Sequence, residues 1–111
     1  MSASIEELVG QIVAINHGWK LAIERWGNQS AISLALRQRK SSLQADLLRL
    51  WPEQVWLRLD QEAEGRELFS VRLGREVRLP SGVRRQDAEH MPVDVARELL
   101  TPGELQKVVR S

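Results

Sequence analysis

Apolar side chains at Ile5, Leu8, Ile12, Ile15, Trp19, Ala22 and Trp26 recur in alternating steps of three and four. That spacing places them on one stripe of a helix. Ser4 offers an N-cap, and Glu6 and Glu7 suit the positive end of the helix dipole. Gly18 lies inside the stripe and weakens it by about 1 kcal/mol relative to alanine, which marks His17-Gly18 as a candidate break. Gly27-Asn28-Gln29-Ser30 reads as a turn. Ile32, Leu36, Leu43, Leu47 and Leu50 then form a second stripe, ended by Pro52. Two helices joined by a four-residue turn predict an antiparallel hairpin.

A competing pattern overlaps the first. Trp19, Leu21 and Ile23 alternate with polar or small residues, as do Ile32, Leu34 and Leu36, so residues 19–37 also read as a β-hairpin extending the sheet. The Ala, Leu, Glu, Lys and Arg content of the segment favours the helices.

Beyond Pro52 the period changes to two. Val55, Leu57 and Leu59 alternate with Trp56 and Arg58, and Phe69, Val71 and Leu73 form the next inward set after a polar turn at Gln61–Gly65. Val77 and Leu79 follow Gly74. A two-residue turn at Gly74-Arg75 would pair Leu73 with Glu76 and mix the faces. A three-residue loop from Gly74 to Glu76, or one long strand bent at Gly74, keeps the apolar residues together. Leu79-Pro80-Ser81-Gly82 fits a type I turn. Pro92 to Leu100 predicts a short helix with Val95 and Leu99 on one face. Thr101-Pro102-Gly103-Glu104 carries a capping box with proline at the first helical position, opening a last helix to about Arg110.

The expected fold is therefore α+β in a single domain spanning 1–111: an N-terminal helical hairpin, a small three-stranded antiparallel meander and short C-terminal helices. Its 111 residues suffice for one modest core.

Composition narrows the chemistry. Sixteen basic against fifteen acidic residues argue against a polybasic, histone-like protein. The lack of cysteine excludes disulfides, thiolate metal sites and cysteine nucleophiles. No apolar run exceeds four residues, whereas a membrane span needs about 20, and the first residues lack a signal-peptide pattern. The expectation is a cytoplasmic protein with no membrane partner. No Gly-rich phosphate loop or metal-ligand spacing occurs, so no cofactor and no metal are expected.

The charge is nevertheless patterned. Residues 71–85 hold five arginines and one acid, net +4, while 51–70 hold two arginines and five acids, net −3. Arginine outnumbers lysine 13 to 3, and four tryptophans accompany one phenylalanine. Trp and Arg are the residues enriched at interface hot spots. Trp56, Arg58, Arg72 and Arg78 share outward parity, opposite Val55, Leu57, Val71 and Leu79. They define the expected partner-binding surface of a non-catalytic interaction or assembly protein, adaptor- or chaperone-like, with the helical hairpin as a route to a homodimer.

A nucleic-acid reading uses Arg37, Arg39, Lys40, Arg72, Arg75, Arg78, Arg84 and Arg85, although no aromatic residue is interleaved with them for base stacking. Arg37 to Ser42 interrupts the second helical stripe for about two turns, so position 39 or 40 points at the partner helix and this stretch is expected to project past the core. An enzyme around His90, which stands among Asp87, Glu89 and Asp94, ranks last. The plainer reading there is a polar loop leading into a helix.

Overall fold

The computed structural model describes residues 4–63 and 66–110. The helical periodicity decides the N-terminal half: α1 runs Ile5–Trp26 and α2 runs Ala31–Leu50, joined by the turn at 27–30. The β-hairpin alternative for 19–37 is excluded, and α1 passes through Gly18 without a break. Each helix begins on a serine. Ser4 accepts the Glu7 N–H and Ser30 accepts the Ser33 N–H, both at 3.1 Å. The Ser33 hydroxyl, fully buried, continues to the Gly27 carbonyl at 2.9 Å and locks the turn. Gly27 adopts φ +85°, a conformation in which any other side chain would be strained. Ser30→Ala is expected to cost about 1–2 kcal/mol, because a cap and its link to a buried hydroxyl disappear together. A chemical denaturation curve checks this.

The sheet comprises β1 (Val55–Ala63), β2 (Arg66–Arg78), β3 (Arg84–Pro92) and β4 (Val109–Arg110), in the order β3-β2-β1-β4. It corrects the expected three-stranded antiparallel meander in three ways. Of the two solutions expected at Gly74, the single long bent strand is the one formed, so β2 runs Arg66–Arg78 and Val77 does not start a third strand. The third strand is instead β3, formed from the polar residues around Asp87–His90 that read as a loop. The last helix also stops early: α4 covers Pro102–Val108, after α3 at Val93–Leu99, and the chain leaves it as β4, parallel to β1 through Leu57↔Val109 and Arg58↔Arg110. The sheet is thus four-stranded and mixed. The turn expected at Gln61–Gly65 falls partly on residues 64 and 65, which lie outside the described residues.

Register follows the hydrophobic alternation. Val55↔Leu73, Leu57↔Val71 and Leu59↔Phe69 share one face, and Trp56↔Arg72 and Arg58↔Ser70 share the other. A close approach fixes the bend at Gly74. Its N–H donates to the Gln54 carbonyl at 2.7 Å, and a Cβ there would stand 3.3 Å from both that oxygen and the Trp56 ring. Gly82, at φ +90°, donates to the Leu79 carbonyl and closes the turn into β3.

The core lies between the inward sheet face and the near half of the hairpin. Leu8, Val9 and Ile12 of α1 and Leu43, Leu47 and Leu48 of α2 meet Val55, Leu57, Val71 and Met91. β3 is an edge strand whose backbone invites unwanted pairing. α2 blunts that edge, because the Gln44 amide donates to the Ala88 carbonyl at 2.8 Å and the His90 carbonyl at 3.2 Å. The C-terminal helices are tied back through Arg49, which reaches Glu104 at 2.9 Å and also donates to the Leu99 carbonyl. The Thr101–Glu104 capping box forms as its spacing predicts. The Arg49 hydrogen bond, followed by the Thr101 backbone N–H, holds the Glu104 carboxyl below its ordinary value.

Candidate functional site

The sheet face opposite the core carries three of the four residues expected to bind a partner. Trp56 stands beside Arg72 in register, with Arg58 two residues further along β1. Arg58 is exposed, while Trp56 and Arg72 are half-buried. The indole is not a free anchor: Gly74 lies on one side of it, and the Arg110 guanidinium stacks over its ring at 4.8 Å. Arg110 thus joins the surface, which sequence reasoning had placed at the end of a helix. None of Arg58, Arg72 and Arg110 is ion-paired with a described residue. Arg58, Leu59, Asp60, Ser70 and Arg72 line a shallow depression of about 240 Å³ on this face. Arg78 keeps its outward parity but lies six residues past Arg72, beyond the bend and opposite Arg84, and does not belong to the same patch.

The five arginines of residues 71–85 do not form one array. Arg84 pairs with Glu76 at 3.4 Å, and Arg85 is held by Asp87 at 3.0 Å and Glu89 at 3.3 Å. Arg75 is exposed at the bend, away from the Trp56–Arg72 row. On α2, Arg39 is exposed, whereas Arg37 is half-buried and Lys40 is buried. Glu76 reaches Arg84 across the β2–β3 pairing, and Asp87 and Glu89 hold Arg85 along β3 itself. Because the sequence read the β3 segment as a loop, neither arrangement was visible beforehand.

His90 is exposed, and its Nε2 lies 3.0 Å from Asp60 Oδ2 across the sheet. Among the described residues no group of three or more metal-ligand side chains converges, and no helix is long and apolar enough to cross a membrane.

No protein-family model matches this chain, and no curated protein or solved structure matches it either. The site is therefore read from its own geometry.

Two features escaped the sequence reading. The far half of the hairpin runs past the sheet and exposes Leu21, Trp26, Ile32 and Leu34, four of the eight exposed large hydrophobics among the described residues. Trp26 and Ile32 had been assigned to buried stripes, because periodicity specifies a face but not how far the partner layer extends. This tip is the surface that dimerisation through the hairpin would use.

The second feature is a polar seam where the hairpin meets β3. The stretch expected to project, Arg37–Ser42, is instead where α2 turns Lys40 and Ser41 inward. Lys40 is only 7% exposed; its ammonium donates to Asn16 Oδ1 at 2.9 Å and stands 4.9 Å from the centre of the Trp19 ring. Burial first, then Lys20 and Arg37, pull its pKa down from 10.5 to about 8 against the opposing effect of Glu89. The interruption of the apolar stripe at position 39 or 40 was the signal for this seam.

Proposed function

We propose that this chain is a small non-catalytic interaction module, adaptor- or chaperone-like, that receives an acidic protein partner on the outer face of its sheet. One observation carries the reading. Arg58, Arg72 and Arg110 surround a half-buried indole, and none of the three guanidinium groups is neutralised by a described side chain. Guanidinium forks bind carboxylates in bidentate geometry, and a packed indole beside them supplies rigid apolar area at little entropic cost. The cation–π contact with Arg110 holds Trp56 in place before a partner arrives.

Nucleic acid suits the surface less well. Phosphate binding gains from many unpaired cations along a track, and here Arg84 and Arg85 are spent on Glu76, Asp87 and Glu89. Among the described residues the other rings are placed elsewhere, Phe69 and Trp51 on the core, Trp19 in the hairpin cleft and Trp26 at the end of α1, and none joins Trp56 to stack bases.

Tagged protein recovered from a nuclease-treated lysate of its native cell provides the test. The wild type is expected to retain a protein partner that Arg58→Glu/Arg72→Glu loses by about tenfold or more, while Arg39→Glu, on the exposed side of α2, retains it. Equal recovery with the double variant, or recovery that vanishes after nuclease, would contradict the reading.

A further inference from the structure

Lys40 presents an unusual energetic situation. A buried ammonium is costly unless a carboxylate or several hydrogen bonds compensate it. Here, among the described residues, its one oxygen acceptor is the neutral Asn16 amide, and no carboxylate lies within ion-pair distance. The group is not sealed into the core either. It lines a cleft of about 340 Å³ between the hairpin and the β3 edge, together with Lys20 of α1 and Arg37 of α2. Three cationic side chains therefore converge on one cavity. The carboxylate that also lines it, Glu89, is already engaged by Arg85 at 3.3 Å.

The lip of the cleft is strained in a way that favours this arrangement. Ala88 and Glu89 bulge from β3 opposite Val71, and Glu89 sits at φ +66°, a left-handed conformation that a glutamate rarely adopts. Backbone strain of this kind clusters at functional sites. The bulge leaves Glu89 facing Arg85 of its own strand rather than pairing with Lys40.

We propose that this cleft binds a small organic oxyanion, a carboxylate or phosphate on a flat apolar body, with Lys20, Arg37 and Lys40 holding the head and Trp19, Leu68 and Pro92 lining the body. The volume equals about eleven waters, which suits a ligand built on a single aromatic ring. The charge balance sets the class: Glu89, shared with Arg85, offsets the three cations only in part, and an entering oxyanion adds the counter-charge at Lys40 inside a largely buried cleft where that interaction is strengthened. A neutral ligand would leave the three cations with only the shared Glu89 carboxylate to offset them. This site shares none of Arg58, Arg72 or Arg110, so its fate and that of the sheet-face reading are decided separately.

The test is a titration of the full chain with phenyl phosphate, benzoate and neutral benzyl alcohol, followed by backbone amide NMR. Saturable shifts at Asn16, Trp19, Arg37 and Lys40 are expected for the two anions, with a dissociation constant of about 1 mM or below, the range that ligands of this size reach. The tighter of the two anions identifies the head group as phosphate or carboxylate. Lys40→Met should weaken binding at least about tenfold, the loss expected for a charge-assisted hydrogen bond. Arg37→Ala, a partly exposed position whose loss leaves the core intact, should weaken it about threefold.

A second readout is pH. Lys20, Arg37, Glu89 and His90 also face the cleft, and the Lys40 amine among them is lowered to about 8 by burial. Benzoate affinity in the wild type should therefore fall between pH 7 and 10, and in Lys40→Met it should stay nearly flat. Absence of saturable binding by both anions, equal binding of benzyl alcohol, or unchanged affinity in Lys40→Met and Arg37→Ala would each overturn the assignment.

Discussion

Stability is expected to rise, not fall, as the pH is raised from 8 to 10.5. Burial lowers Lys40 to about 8 in the folded chain, against 10.5 for an ordinary lysine. Below pH 8 both states carry the proton, and the folded state bears the full cost of a buried charge. Between the two values the unfolded chain binds a proton that the folded chain has released, so unfolding becomes less favourable with increasing pH. Above 10.5 both states are neutral and the cost is gone. The gain across this window is roughly 3 kcal/mol by linkage. The chain has three lysines, no tyrosine and no cysteine, so few other groups titrate there to mask it.

Lys40→Met should remove the alkaline rise. It should also stabilise the protein at pH 7 by about 1–3 kcal/mol, the usual direction when an apolar side chain replaces a buried charge with no ion pair of its own. Denaturant unfolding at pH 7, 8.5 and 10 for both proteins checks the prediction. A wild type that loses stability over that range, in parallel with Lys40→Met, would show that Lys40 is not the buried cation described.

The largest loss of stability is expected from Leu57→Ala. Leu57 is fully buried near the start of β1, flanked by Val71 of β2 and Val109 of β4, and packed in the cluster that joins the sheet to Leu47, Leu48 and Ile12. Its flanking strands hold the backbone in place, so the site cannot collapse to fill the space. A truncation of this kind costs about 3–4 kcal/mol, transfer and cavity effects together. For a chain of this length that is a fall in melting temperature of roughly 15 °C. Leu59→Ala, in the same strand and parity but 44% exposed, provides the internal comparison. It should cost less than about 1 kcal/mol. Similar losses at the two positions would contradict the fall in burial along this face of β1 from Leu57 to Leu59.

These two sites also show what the sequence could and could not disclose. The strand phase around Leu57 was legible because alternation with a period of two marks a half-buried strand with little ambiguity. The caps at Ser4 and at the Thr101–Glu104 box were legible for a similar reason: they are local interactions that need no partner from elsewhere in the chain, whereas Ser30 read only as part of a turn. β3 was not legible. Its polar residues, Arg84 to His90, include pairs of opposite charge at i, i+2 and i, i+4, and a bulge at Glu89 breaks the alternation that would have revealed a strand. β4 was hidden because two residues hydrogen-bonded to β1 carry no period at all.

The same limits shaped the candidate sites. Parity correctly put Trp56, Arg58 and Arg72 on one face. Parity says nothing of distance along a strand, and so it also included Arg78, which lies past the bend at Gly74. The five-arginine cluster looked concentrated only while Glu76 in β2 and Asp87 and Glu89 in β3 were unplaced against it. Lys40 was grouped with Arg37 and Arg39 as an exposed basic run, yet the helix turns Lys40 alone fully inward. Its burial depends on Asn16 and Trp19, which approach from a separate helix 21 or more positions earlier in the chain.

The central claim, a protein partner on the outer sheet face, is tested most directly by site-specific photo-crosslinking in the native cell. A photoreactive residue placed at Arg58 samples that face, and one placed at Gln11, exposed on α1, samples a different surface of the molecule. Nuclease-resistant protein adducts from position 58, absent from position 11, are the expected result. Adducts from position 11 alone, or adducts at 58 that consist of nucleic acid, would contradict the account.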